Sequence, residues 1–300
     1  MRVFLTGATG FVGAPVTERL LARGHEVHAL VHPEDGAPLD GRVSIVRGDL
    51  LRAGSYAAAL EALRPEACVH LGWYANPKDY LSSRVNLDLL SASAALGAKL
   101  VDLGCARIVA AGTCFEYDVA QGYLREDGPL APRHLYSACK RALGEVLAQL
   151  TAGTSTSLAW ARLFFLYGPR EQEGRLVRSV VDALLAGERA RTSTGEQVRD
   201  FSHVADAAAG IVHVLESTLA GPVNVASGVP VRVRDVVRTI ARLAGREDAV
   251  DWGAVTPRPN DPPFVCADVS KLRNSGFVPT FDLESGLRDT MEWAKGELGR

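Results

Sequence analysis

Short apolar runs alternate along the first half of the chain with longer stretches whose apolar residues recur every three or four positions. The runs at residues 2–5, 26–31, 43–46, 67–71, 107–111 and 157–161 read as strands, the first of them buried. The stretches 55–63 (closed by Pro65), 80–103 and 136–152 read as helices. Strand and helix in turn require right-handed crossovers, which predicts an α/β fold with a doubly wound parallel sheet. Ligands of such sheets sit at the carboxyl ends of strands where strand order reverses. Those ends are Gly7, Val31-His32, Gly48-Asp49, Leu71-Gly72-Trp73 and Gly112-Thr113.

Beyond residue 162 the alternation breaks at Leu166-Tyr167-Gly168-Pro169-Arg170-Glu171. Helices are expected at 176–186, 203–216, 233–244 and 283–298, with strands at 198–202 and 223–226. Residues 255–263 carry four of the 15 prolines and read as a rigid loop. We expect residues 1–165 to form the sheet domain, with 196–226 returning to it. Residues 166–300 then form mainly a smaller, interleaved C-terminal lid.

Composition narrows the field by exclusion. A net charge of −2 lacks the basic excess of a nucleic-acid-binding protein. No apolar run approaches the roughly 18 residues of a membrane span, and the N-terminus enters a strand without the regions of a signal peptide. The five cysteines (68, 105, 114, 139 and 266) are scattered, without a C-x-x-C pair. They read as reduced thiols in a cytoplasmic protein rather than as a disulfide framework or metal site.

Chemistry enters at Thr6-Gly7-Ala8-Thr9-Gly10-Phe11-Val12-Gly13, between the first strand and a helix whose first turn holds Pro15. Glycine serves a tight strand-to-helix turn and lets a pyrophosphate approach the main chain, while the helix N-terminus offers free N–H groups and a positive dipole end. The segment predicts a Rossmann-type dinucleotide site, with Gly7, Thr9, Gly10, Phe11, Val12 and Gly13 as cofactor-binding residues. The second strand ends in Leu30-Val31-His32-Pro33 with no carboxylate at its tip. A 2′-phosphate would tolerate His32, so NADP(H) is favoured; NAD(H) remains the alternative if Asp35 folds back to the ribose.

Tyr136 and Lys140 sit four apart on one helix face. A phenol has an ordinary pKa of about 10, and an adjacent ammonium favours the phenolate, so the pair suits proton transfer. Cys114 reads as a structural thiol.

These features in this order resemble the extended short-chain dehydrogenase/reductase family that acts on nucleotide-linked sugars, over nearly the whole chain. The resemblance implies catalytic Thr113, four residues before Tyr117, together with Tyr136 and Lys140, the last two also holding the cofactor. It places Asp49, Leu50, Leu71, Gly72, Trp73 and Phe164 at the cofactor, and Asn86 behind the site. It assigns Thr113, Phe165, Arg199, Arg258 and Asp261 to the substrate, through R-D-F-S-H-V-A-D at 199–206 and R-P-N-D at 258–261. Guanidinium forks suit a diphosphate, though Arg199 could instead pair with Asp200 or Asp206. His203 reads as ordering a helix start.

Departures from the family pattern carry information. Cys114-Phe115 replace the Asp-Glu that dehydratases place after the threonine, and Phe115 replaces the cysteine of fucose-synthase-type epimerase–reductases. Phe165 replaces a substrate-binding asparagine, which favours a less polar sugar such as a deoxyhexose. The reading is an NADP(H)-dependent reductase of a nucleotide-linked keto-deoxysugar, with a 4-epimerase holding NAD tightly, or a non-catalytic sensor, as alternatives. Family members often pair the two long helices into a four-helix bundle, so a homodimer is expected.

Overall fold

The computed structural model describes residues 1–256 and 261–298. Seven strands form the main sheet: β1 (Arg2–Thr6), β2 (Glu26–Val31), β3 (Ser44–Arg47), β4 (Ala67–His70), β5 (Arg107–Thr113), and two that follow later in the chain. The strand β6 (Tyr123–Leu124) leaves for a second sheet before β7 (Ser157–Leu163) returns to the first. The order is β11-β7-β5-β4-β1-β2-β3, with β11 spanning Gly221–Val225, and every pairing is parallel. The chain starts at β1, winds out to β3, then crosses to β4 on the other side of β1. Order therefore reverses between Thr6 and His70, which are paired in register. The carboxyl ends expected to hold ligands converge there.

Helices cover both faces of this sheet. The helices α1 (Gly13–Ala22) and α6 (Val204–Glu216) enclose Val3, Leu5, Val69, Val109 and Ile211 on one side. On the other, α2 (Ala57–Leu63), α3 (Val85–Asp102) and α4 (Leu135–Thr151) cover Phe4, Cys68, Ile108 and Trp160. A Cβ at Gly97 of α3 would come within 2.2 Å of Leu147 Cδ2 on α4, so glycine sets how closely the two helices pack.

The helix expected at 80–103 begins only at Val85. The preceding carbonyls are committed elsewhere: Leu81 O accepts from Tyr136 N at 3.1 Å, and Tyr80 O and Ser83 O accept from Asn86 Nδ2 at 2.8 and 2.7 Å. Tertiary bonds thus override the helical pattern.

A second sheet is ordered β12-β10-β14-β6 from β12 (Pro230–Arg232), β10 (Val198–His203) and β14 (Phe264–Ala267), with β8 (Phe165–Tyr167) also pairing β10. The expected return at 196 begins instead at α6, because β10 belongs to this second sheet. The buried side chain of Asp200 holds it there, accepting from Ser227 N, Gly228 N and Ala267 N at 2.9, 2.9 and 3.1 Å. The helices α5 (Leu176–Leu185), α7 (Val233–Ala244) and α9 (Leu283–Leu298) form a separate apolar cluster around Val181, Val237, Ile240 and Leu287. Among the described residues no helix is long and apolar enough to cross a membrane.

Candidate active site

The glycine turn is packed backbone on backbone. Gly7 adopts φ +75°, and a Cβ there would lie 2.9 Å from Gly72 N, while one at Gly13 would lie 1.8 Å from Gly7 O. Gly10 is different, since its Cβ would meet only Gly7 O, at 3.3 Å, and would otherwise point into open space. Helix α1 starts with no side-chain cap and no acidic residue in its first turn. An anion fits this uncapped end, and a Cβ at Gly10 would intrude where a phosphate approaches.

Beside it, Asp35 folds back from the loop after β2. Thr9 Oγ1 donates to Asp35 Oδ2 at 2.7 Å, and Ala37 N to Oδ1 at 2.9 Å. The Thr9 hydroxyl and the Ala37 amide, with Arg47 and His32 nearby, hold the carboxyl below its ordinary pKa, so it is anionic. His32 Nδ1 accepts from Glu34 N at 3.3 Å. An uncapped helix end beside a fixed carboxylate is a donor and acceptor set suited to a dinucleotide. Asp49 caps its own turn, accepting from Leu51 N at 2.9 Å, and Leu50 and Thr6 crowd Gly72. Phe164 is buried against Tyr117.

Thr113, Tyr136 and Lys140 come together at the end of β5. The Thr113 hydroxyl lies near enough to the Tyr136 phenol to influence its ionisation. Lys140, only 2% exposed, donates from Nζ to Ala111 O at 2.8 Å and lies 3.9 Å from the centre of the Trp73 ring. Trp73 Nε1 in turn donates to Asn86 Oδ1 at 2.8 Å, so Asn86 holds the ring that covers the lysine.

The charge relation between the pair differs from expectation. Burial, with the Tyr80 hydroxyl close by, pushes the Tyr136 phenol well above its ordinary range, and the nearby Thr113 hydroxyl opposes this in part. Burial also brings Lys140 down to about 7, against the field of Glu116. Without bound ligand, then, the dominant force on both groups is desolvation rather than their mutual charge.

The outer wall is aromatic. Phe115 meets Phe165 edge to face with centroids 6.0 Å apart, and Phe201 lies 6.2 Å from Phe165. The Arg199 guanidinium lies 5.4 Å from the Phe165 ring centre, and its Nη2 pairs with Asp261 Oδ1 at 2.8 Å. That pairing is with Asp261, not with Asp200 or Asp206. Arg258 lies outside the described residues. His203 caps α6 by accepting from Ala205 N at 3.4 Å, as its position suggested.

The model of the NAD-dependent epimerase/dehydratase family matches residues 3–226. The chain belongs to this family. A 3-diazoavenalumate denitrifying reductase from Streptomyces sp is 32% identical over 261 residues, covering 82% of each chain. A dTDP-glucose 4,6-dehydratase from Streptomyces griseus is 28% identical over 324 residues, covering 97% of this chain and 93% of that one. Among solved structures, a Thermus thermophilus UDP-glucose 4-epimerase in complex with NAD superposes with TM-score 0.85 at 26% identity, covering 99% of both chains. These relatives differ in the reactions their names describe, so membership alone does not select one.

Two parts of this epimerase/dehydratase family member escaped the sequence reading. Glu116, beneath Thr113, was announced only by the T-x-x-E spacing of a capping box. Arg175 leaves no such signal: it reaches from the lid to lie 5.0 Å from the Tyr80 ring, which packs edge-on against Tyr136 at 5.1 Å.

Proposed function

We propose that this enzyme moves hydride to a keto carbon of a nucleotide-linked sugar of low polarity, as a keto-deoxysugar reductase. The nicotinamide supplies the hydride when bound. The observation that carries the reading is buried Lys140 donating to Ala111 O at the end of β5, where Thr113 and Tyr136 also lie. Thr113 orients the carbonyl oxygen and Tyr136 gives it a proton. Lys140 holds the ribose and, when protonated, favours the phenolate left behind. The apolar wall of Phe115 and Phe165 excludes water and favours a sugar lacking a hydroxyl. Cys114 is buried with its thiol pushed far up, and Phe115 bears no proton, so neither supplies the acid–base pair that elimination of water needs.

The second reading is a 4-epimerase retaining NAD, and one observation bears on the cofactor of both. Asp35 holds its negative charge against Thr9, a placement that suits a ribose hydroxyl and opposes a 2′-phosphate. We therefore propose NAD(H) in place of NADP(H) in either reading. A homodimer pairing α3 and α4 fits the apolar groove at Val146 and Leu150 and the exposed Leu87.

Purified protein is supplied with a nucleotide-linked 4-keto-deoxysugar and NADH. Loss of NADH absorbance supports the reductase, while interconversion of 4-epimers without added cofactor supports the epimerase. Tyr136→Phe lowers either turnover by about 10²–10⁴-fold. Retained turnover in that variant refutes the assignment.

A further inference from the structure

We infer that Glu116 is a positioning residue of this site, its carboxylate both aiming the Thr113 hydroxyl at Tyr136 and supplying the negative field in which the Lys140 ammonium is held. The consequence for turnover rests on the hydride-transfer reading; the geometry does not.

Thr113 opens a short 3-10 turn, Cys114–Glu116, and Glu116 folds back over it. Its Oε1 accepts from Thr113 N at 2.8 Å, while Thr113 Oγ1 accepts from Phe115 N at 3.3 Å. With that lone pair engaged, the hydroxyl proton is free to face the phenol. Glu116 is 1% exposed, and its remaining acceptor capacity is filled by Trp160 Nε1 at 3.1 and 3.0 Å and Arg162 Nε at 3.0 Å. Arg162 is anchored in turn, donating to Glu126 O at 3.1 Å with its guanidinium 4.4 Å from the Tyr117 ring centre.

The strand above is shaped to admit this carboxylate. A Cβ at Gly112 would lie 2.3 Å from Trp160 Nε1 and 2.6 Å from Glu116 Oε1, so only glycine lets both groups reach beneath the end of β5. The groups around Lys140 can be named element by element. From β5 comes the Ala111 carbonyl, and from the end of β4 the Trp73 ring. His70, also on β4, is kept neutral between Thr6 Oγ1 at 2.7 Å and Ser93 Oγ at 2.9 Å. Tyr136 is one turn back on α4. Among these neighbours only Glu116 offers a negative charge.

The test reads Lys140 directly in the full chain without any ligand. Protein carrying carbon-13 at the lysine Cε positions has five lysine signals, and Lys140→Arg assigns the one of interest. Glu116→Gln keeps an oxygen for Thr113 N but removes the charge, and should lower the Lys140 titration midpoint by about one pH unit. Arg162→Gln breaks the same ion pair while leaving the carboxylate, and should not lower it. Glu116→Asp keeps the charge but cannot reach Thr113 N. It should hold the Lys140 midpoint near the wild-type value while cutting turnover at least about tenfold. An unmoved midpoint in folded Glu116→Gln, equal downward shifts in Glu116→Gln and Arg162→Gln, or full turnover in Glu116→Asp overturns the inference. The titrations decide the electrostatic half even if no sugar is turned over.

Discussion

Replacing Lys140 by methionine should make the protein more stable at neutral pH while abolishing its activity. Burial draws this amine from 10.5 to about 7. The unfolded chain keeps the proton up to about pH 10.5 and the folded chain releases it near 7, so the unfolded state binds more protons throughout that window. Stability therefore rises with pH across it, and the wild-type fold carries a cost of about 4 kcal/mol at pH 7. Methionine removes that cost and fills a similar volume. It also leaves Ala111 O without its donor and Trp73 without its cation, which together cost about 2–3 kcal/mol. The net expectation is a gain of about 1–2 kcal/mol at pH 7 that reverses to a loss of about 1–2 kcal/mol above about pH 10.5, where the folded amine is neutral and only its hydrogen bond is lost. Urea unfolding of the ligand-free protein at both pH values measures this directly. A variant equally destabilised at both would refute the reasoning, because the amine would then carry no ionisation cost. The position would be an instance of function held at the expense of stability.

Other expectations concern the cofactor cradle and the assembly. Asp35→Asn should shift the ratio of NADP(H) to NAD(H) affinity by about tenfold toward the phosphorylated cofactor, read by fluorescence titration; an unchanged ratio would remove Asp35 from ribose selection. Gly13→Ala should fail to accumulate as folded protein, because its Cβ would sit 1.8 Å from Gly7 O. Gly10→Ala, meeting only a 3.3 Å contact, should change the unfolding midpoint little while weakening NAD binding by about tenfold or more. Val146→Arg should convert a dimer to a monomer in sedimentation velocity, and a wild-type protein that sediments as a monomer would dismiss the four-helix pairing.

The sequence made the main sheet legible because its early strands are short apolar runs, most of them separated from the next by a helical stretch. The glycine turn and the Tyr136–Lys140 spacing were legible for the same reason, each being a local pattern tied to one element. The second sheet was not. β6 and β8 are two and three residues long, too short for periodicity to register. Asp35 lies past the strand tip in a loop, and only Thr9 reveals where its carboxylate goes. The burial of Lys140 was not legible because spacing reports which face a side chain occupies, not how deeply that face is buried. Glu116 was within reach of the sequence through the cap spacing of Thr113-Cys114-Phe115-Glu116, which the reading of Thr113 as a turn cap did not follow to its fourth residue.

The exchange of segments between the two sheets bears on how this chain can be divided. β11 closes one edge of the main sheet, yet it is contributed from beyond β10. A fragment ending near residue 165 would expose the backbone of β7 along its length, an adhesive border that invites self-association. It would also take β6 away from β14. Truncation at the apparent domain boundary should therefore yield aggregates rather than an isolated nucleotide-binding module, and swapping lids between relatives requires at least two junctions.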